Sequence, residues 1–365
     1  MSLILTDEEQ SLRESVRRFV AERSPLTAIR GLIDSGEPYD TGVWKQLAGQ
    51  LGLASLIIPE EYDGAAAGYA AMSVALQELG AGLVPSPLLA SAVLAATALL
   101  AMDDEQARRD LLPGIASGEL IATLAITGSA DPAGDVRAAG EPGQVTLTGS
   151  VSPVLNGGQA GVLLIPAAGP GGTGLYLVDA AASGLTRTPL TAVDHTRSLA
   201  TIEFDATPAR PLAGDASAAL TAAASAASLA LASEQCGAMA ACVTMTSEYA
   251  RLRVAFGQPI GAFQAVKHRL ADMQTAWELA HAGVRAAARA ADEDPAAFPA
   301  AASVARVLTS VPYFTAAADT IQLHGGIGFT WEHDAHLYYK NALSGKVLLG
   351  GASDQLDRLA ANLGM

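Results

Sequence analysis

Tyr249-Ala-Arg-Leu-Arg-Val-Ala-Phe-Gly-Gln-Pro-Ile-Gly-Ala-Phe-Gln-Ala-Val-Lys-His-Arg-Leu-Ala-Asp-Met273 is the stretch on which the reading of this 365-residue chain turns. It follows an alanine-rich run, Ser217 to Val243, that has no internal glycine until Gly237 and reads as a helix. A second stretch, Gln322-Leu-His-Gly-Gly-Ile-Gly-Phe-Thr-Trp-Glu332, comes about fifty residues later. Two long stretches in fixed order and spacing are far more specific than a lone glycine triplet. Small side chains let helices approach closely, so residues 212–365 are expected to form a tightly packed helical bundle.

Moving outward, the segment from Thr6 to about Glu119 also has helical spacing. Thr6 with Glu9 forms a capping-box signature, and Leu12, Val16, Phe19 and Val20 recur on one face. Turn signals at Gly36-Glu-Pro38, Pro59-Glu-Glu-Tyr-Asp-Gly64 and Pro85-Ser-Pro87 divide it into several helices. From Leu120 to about Pro211 the texture changes to short β-type runs: Leu120–Thr127, Val145–Thr148, Val162–Ile165, Leu175–Val178 and Ala200–Phe204. The expected organisation is an α+β multidomain chain: an N-terminal helical domain (1–119), a middle antiparallel β domain (120–211) and a C-terminal helical bundle domain (212–365).

Composition narrows the function. A formal charge of −15 argues against a nucleic-acid partner, since phosphate binding wants clustered Lys and Arg. Charged residues are 16% of the chain against roughly 25% in ordinary soluble domains, which predicts surface covered by other subunits. Apolar runs such as Leu89 to Ala101 are too short to cross a bilayer. The opening Met-Ser-Leu-Ile-Leu-Thr-Asp-Glu-Glu has no basic flank, which argues against a signal peptide. With Cys236 and Cys242 the only cysteines there is no disulfide framework to read, and a cytoplasmic location is the expectation.

The two quoted stretches resemble acyl-CoA dehydrogenases, and the α, β, α order matches that fold, with its C-terminal four-helix bundle, over essentially the whole length. The resemblance implies FAD, an acyl-CoA substrate, a dimer or tetramer, and an electron-transfer flavoprotein as acceptor. It implies removal of a proton α to a thioester by a glutamate while the β carbon gives a hydride to the flavin. By resemblance Arg253 neutralises the FAD pyrophosphate of a neighbouring subunit, Phe256 and Gln264 pack and hydrogen-bond near it, and Gln322 with Gly325 and Gly326 lets the backbone approach the adenosine end. A surface salt bridge is the plainer fate for Arg253. His324 and Trp331 read as packing residues, and Glu332 and Lys340 as members of structural ion pairs.

The chain departs from the family in its own half of the flavin site. Where the family usually has Thr-Glu-Pro-Gly-x-Gly-Ser-Asp, this chain has Thr127-Gly-Ser-Ala-Asp-Pro-Ala-Gly-Asp135, keeping Thr127 and Asp135. At Pro153-Val-Leu-Asn-Gly157 the stacking aromatic is Pro153 and the hydroxyl expected at the flavin N5 is Leu155, which cannot donate, although Asn156 is kept. Both family positions for the glutamate are vacant: one falls on Gly350 and the other, counting back from Phe256, on Ala227. The nearby acid is Glu234, seven residues and roughly 10 Å along the helix from Ala227. It is either a structural acid or a displaced base.

These departures resemble the paired actinobacterial subunits that act on steroid side chains and other bulky acyl-CoAs in lipid catabolism as α2β2 heterotetramers. The leading expectation is such a subunit, lacking the base and completing a partner's FAD site. A self-sufficient homotetramer using Glu234, a related flavin monooxygenase or nitroalkane oxidase-like enzyme, and a non-catalytic scaffold remain open.

Overall fold

The computed structural model describes residues 3–128, 131–141 and 143–362. Six helices come first: α1 (Asp7–Arg23), α2 (Leu26–Ser35), α3 (Thr41–Lys45), α4 (Gly68–Ala81), α5 (Ala96–Ala101) and α6 (Glu105–Ser117). The capping box at the start of α1 is present: Thr6 Oγ1 accepts from the Glu9 amide at 3.2 Å, and Glu9 Oε2 accepts from the Thr6 amide at 3.0 Å. That carboxylate also receives Arg285 and Arg289, each at 2.9 Å, so the cap is pinned to the C-terminal bundle.

Eight strands follow: β1 (Ala122–Leu124), β2 (Arg137–Ala139), β3 (Thr146–Leu155), β4 (Val162–Gly169), β5 (Gly172–Asp179), β6 (Leu185–Pro189), β7 (Leu199–Pro208) and β8 (Arg210–Pro211). They pair in the order β6-β7-β3-β2-β4-β5-β8, with β1 beside β4. The sheet is antiparallel except where β1 and β2 each lie parallel to β4. Long intervening segments permit those two parallel pairings, whereas tight hairpins enforce antiparallel ones. Strands β2, β6 and β8 escape the sequence reading because they are short, largely exposed and rich in Arg, Thr and Pro, with little apolar alternation.

The C-terminal helices are α7 (Ala216–Leu252), α8 (Gln264–Glu293), α9 (Phe298–His324), α10 (Ala335–Gly345) and α11 (Ala352–Asn362). The Asp215 carboxylate caps α7 by accepting from the Ser217 and Ala218 amides. The helix runs 37 residues, nine beyond the expected Val243. Polar Thr244, Thr246, Ser247 and Glu248 hid its last turns. By length and composition α7 is apolar enough to cross a membrane, and it is the one such helix among the described residues. Its apolar stretch is instead mostly buried against α4, α8 and α9.

Two glycines make the α4–α7 contact possible. A Cβ on Gly237 would lie 1.8 Å from the Gln77 carbonyl oxygen, and one on Gly80 would lie 2.1 Å from that of Glu234. The backbones touch where neither helix carries a side chain. Cys236 and Cys242, on the same part of α7, are buried and free, and burial pushes both thiols up to about 12.

Candidate active site and cofactor surface

The N-terminal third of α7, the start of α9, α11 and the segment after β1 enclose a cavity of about 490 Å³. Ala227, Leu349, Thr127, Gly128, Gln355 and Arg358 are among its lining residues. The two positions where the sequence reading looks for a glutamate thus fall on or beside one cavity, Ala227 on its wall and Gly350 directly after the lining residue Leu349. None of the described lining residues is Asp or Glu; the one ionisable side chain among them is Arg358. Gly350 has φ +97°, a conformation that strains any side chain placed there. The lining residues supply no carboxylate for proton abstraction. Asp354, outside the lining, has its Oδ2 3.6 Å from where a Cβ on Gly350 would stand, and that oxygen accepts from the Gly351 amide at 2.7 Å.

Glu234 faces elsewhere. It lines a separate space of about 30 Å³ together with Leu155, Asn156, Arg197 and Asn341, and no residue lines both cavities. Its carboxylate is ion-paired with the Arg197 guanidinium. Asp194 stands 3.7 Å from the other side of that guanidinium and is held by Asn341 Nδ2 at 3.0 Å. Burial disfavours the charge on Arg197, but Glu234 and then Asp194 outweigh it and the pKa is raised. A second buried arginine, Arg306, donates to Gln235 at 2.6 Å and to the carbonyls of Gly345 and Leu348. Burial, and then the nearby Arg197, bring its pKa down to about 10. The structural reading of Glu234 is the one this geometry supports.

Of the chain's own flavin-bed candidates, Thr127 lines the large cavity and Asn156 does not. Asn156 is buried in a turn with φ 51°, its amide donating to Ser198 at 2.8 Å. Leu155 is buried too, its carbonyl accepting from Thr123 Oγ1 at 2.6 Å. Ser129 and Ala130 of the Thr127–Asp135 motif lie outside the described residues.

Arg253, Phe256, Gln264, Gln322, Gly325 and Gly326 gather at the far end of the bundle and are all exposed. The tie between their two loops is Tyr249, whose hydroxyl donates to the His324 carbonyl at 3.2 Å and whose ring packs tilted against the His324 ring, centroids 4.3 Å apart. Arg253, the cap residue of α7, has no ion pair among the described residues, so the salt-bridge alternative is not realised here. Phe256 is 96% exposed at φ 52°, edge-on to Phe263. Gly325 ends α9 at φ 65°, and a Cβ on Gly325 or Gly326 would meet nothing within 4 Å. Leu252, Val254, Phe329 and Trp331 add exposed apolar surface at this end, the composition of an interaction face.

Glu332 and Lys340 correct the sequence reading. Neither has an ion pair among the described residues, and the Lys340 ammonium sits 4.1 Å over the Trp331 ring, a cation–π contact. His324 is the packing residue expected, buried with Nδ1 2.7 Å from the Thr320 carbonyl.

An unpaired guanidinium beside an exposed amide and an open, glycine-terminated turn fits the diphosphate half of a dinucleotide. That surface and the large cavity cannot belong to one cofactor site within this chain. Arg253 and Ala227 are 26 residues apart on the same helix, roughly 39 Å at 1.5 Å per residue.

The three-part fold, the glycine-terminated turn and the cavity at the start of α7 define a flavin-dependent dehydrogenase scaffold. A model of the acyl-CoA dehydrogenase N-terminal domain matches residues 6–119, and one of the acyl-CoA dehydrogenase C-terminal domain matches residues 217–364. The chain belongs to the acyl-CoA dehydrogenase family, FAD-dependent oxidoreductases that dehydrogenate acyl-CoA. It is 38% identical to acyl-CoA dehydrogenase IpdE2 of Mycobacterium tuberculosis (strain ATCC 25618 / H37Rv), over 98% of each chain. It is 35% identical to acyl-CoA dehydrogenase FadE34 of the same organism, covering 99% of this chain and 48% of that longer one. Among solved structures, a chain of the ChsE4-ChsE5 complex from Mycobacterium tuberculosis superposes with a TM-score of 0.92 at 29% identity, covering 100% of this chain and 99% of that one. A chain of a Tcur3481-Tcur3483 steroid ACAD variant gives 0.89 at 32% identity, covering 98% of each.

Proposed function

We propose that this chain is the base-lacking subunit of an α2β2 acyl-CoA dehydrogenase and completes an FAD site whose catalytic carboxylate belongs to the partner subunit. The observation that carries this reading is the cavity at Ala227 and Gly350, which has the family's two base positions on or beside its wall and no carboxylate among its described lining residues. The exposed Arg253 surface supports it, since a pure scaffold has no use for an unpaired arginine beside an open glycine turn. Two of the similar structures are named as pairs of different chains, and one as a steroid enzyme. By that likeness the substrate is a bulky acyl-CoA of the steroid side-chain type; the cysteine content supports a cytoplasmic location, and the family resemblance an electron-transfer flavoprotein as acceptor.

FAD held in this assembly would supply the hydride acceptor for the acyl β carbon. Arg253 would offset its diphosphate charge, and Gln322, Phe256 and Gln264 would hold the cofactor from this subunit. Proton abstraction is left to the partner. The test is the flavin absorbance per protomer of the chain alone and after co-expression with a candidate partner. Little flavin alone and about one flavin per pair of chains in the mixed tetramer is the expected result. Near-stoichiometric flavin in the isolated chain overturns the proposal.

A further inference from the structure

We infer that the turn joining α9 to α10, residues 325–334, is an acid-sensitive latch that lets go of the bundle when His324, His333 and His336 take up protons. The turn carries Gly325, Gly326 and Trp331 of the exposed end of the bundle. Its release also undoes the shared flavin site, a consequence that rests on the function proposed above.

Three of the chain's six histidines stand at the two ends of this turn. His324 is 3% exposed, and its Nδ1, 2.7 Å from the Thr320 carbonyl, carries the proton of that bond. Its Nε2 is then bare, buried and without a partner among the described residues. The His333 ring packs tilted against the His324 ring, centroids 4.3 Å apart, and His333 Nδ1 accepts from the Ala335 amide at 3.1 Å. A proton placed on that Nδ1 takes away the acceptor at the first residue of α10. His336 is 8% exposed and edge-on to Trp331, and neither of its ring nitrogens has a partner among the described residues. A charged ring at any of the three places has a new N–H with nothing to receive it, which is costly in a buried site.

The surrounding charges deepen that cost. Arg30 of α2 and Lys340 of α10 both act against a charge on His336, and Arg30 also acts against one on His333. Asp334 favours both charges, but its carboxylate already receives Arg30 at 2.7 Å. From α7 the group that meets His324 is Tyr249. From the segment between β6 and β7, Asp194 and His195 line a small space with Trp331 and Lys340, and Asp194 is already bonded to Asn341. Glu332 is exposed. Burial lowers the pKa of all three rings, that of His336 to about 4. The closed turn is therefore fully favoured above the ordinary 6.5 and loses support as the pH falls below it. The turn is held by the Tyr249 hydroxyl on the His324 carbonyl, and by Arg30 on the Trp331 carbonyl at 2.6 Å and on Asp334. Gly325, at φ 65°, and Gly326 have open space around them and can serve as the hinge.

The experiment is hydrogen–deuterium exchange of the full-length chain at pH 7 and pH 5, read by mass spectrometry and corrected for the intrinsic effect of pH on exchange. Protection of residues 325–336 is expected to fall about tenfold at pH 5 while that of α7 holds. His324→Phe with His336→Phe keeps two rings that cannot titrate, and His333→Asn keeps an oxygen to accept from the Ala335 amide. Both variants are expected to reduce the loss, and if the double variant does not fold, His333→Asn decides. Protection unchanged at pH 5, an equal loss in α7, or the wild-type loss in a folded variant overturns the latch. In the mixed tetramer, flavin is expected to leave on going from pH 7 to pH 5 and to be held better by His333→Asn. The subunit role fails separately, through flavin in the isolated chain at pH 7.

Discussion

Arg197, two residues before β7, and Glu234, in the middle of α7, neutralise each other across the seam between the sheet and the bundle. Each is nearly buried, and Asp194 with Asn341 completes the cluster. The acid that stood out in the sequence as a substitute base is thus committed to holding two domains together.

Glu234→Gln tests this commitment. It leaves Arg197 with Asp194 alone, so thermal or urea unfolding should show a loss of roughly 2 kcal/mol. Turnover of the mixed tetramer should stay within a few-fold of wild type, because removing a true general base costs about 10²- to 10⁴-fold. A collapse in turnover at unchanged stability would restore Glu234 as a catalyst.

Arg253→Gln should act in the opposite way. The side chain is exposed and unpaired, so the melting temperature of the isolated chain should not change. Flavin retention by the mixed tetramer, measured by equilibrium dialysis, should fall by about 10- to 100-fold, the worth of one charge-assisted contact to a diphosphate. Retention equal to wild type would remove Arg253 from the cofactor surface.

Gly237→Ala should be disruptive although it adds a single methyl. The new Cβ would stand 1.8 Å from the Gln77 carbonyl oxygen, and backbone cannot move aside as a side-chain tip can. A loss of about 3 kcal/mol in denaturant unfolding is expected, or failure to fold. An unchanged midpoint would show that α4 and α7 separate freely.

Acid should weaken the chain partly through His336. Burial, followed by the charges of Lys340 and Arg30, lowers its pKa from the ordinary 6.5 to about 4, and neither ring nitrogen has a partner among the described residues. Unfolding then takes up a proton between those two values. The contribution is fully present above pH 6.5 and is lost as the pH falls toward 4. His336→Phe, which keeps a ring edge-on to Trp331, should flatten this part of the melting temperature profile, checked by calorimetry from pH 7 to pH 4.

The order helix, sheet, helix was legible because apolar spacing switches twice along the chain. Features set by tertiary contact were not. The parallel pairing of β1 and β2 with β4 depends on distant segments, and Glu9 gives no sign in sequence that Arg285 and Arg289 will reach it. At the candidate site, spacing against a familiar pattern brought Ala227 and Gly350 forward, and they do converge. Lys340 was misassigned to an ion pair because a formal charge in sequence does not show that an indole will lie beneath it.

A single helix of 37 residues carries a wall of the base-less cavity near one end and Arg253 at the other. With so many turns of rigid, internally bonded backbone between them, a substitution at Ala227 touches nothing that touches Arg253. Selection can therefore act on the two ends separately. After duplication of an ancestral gene, one copy could lose its chemistry at the cavity while its cofactor-facing end stayed under constraint from the sister copy. On the pairing proposed above, the length of α7 separates the change at the cavity from the constraint on the cofactor-facing end.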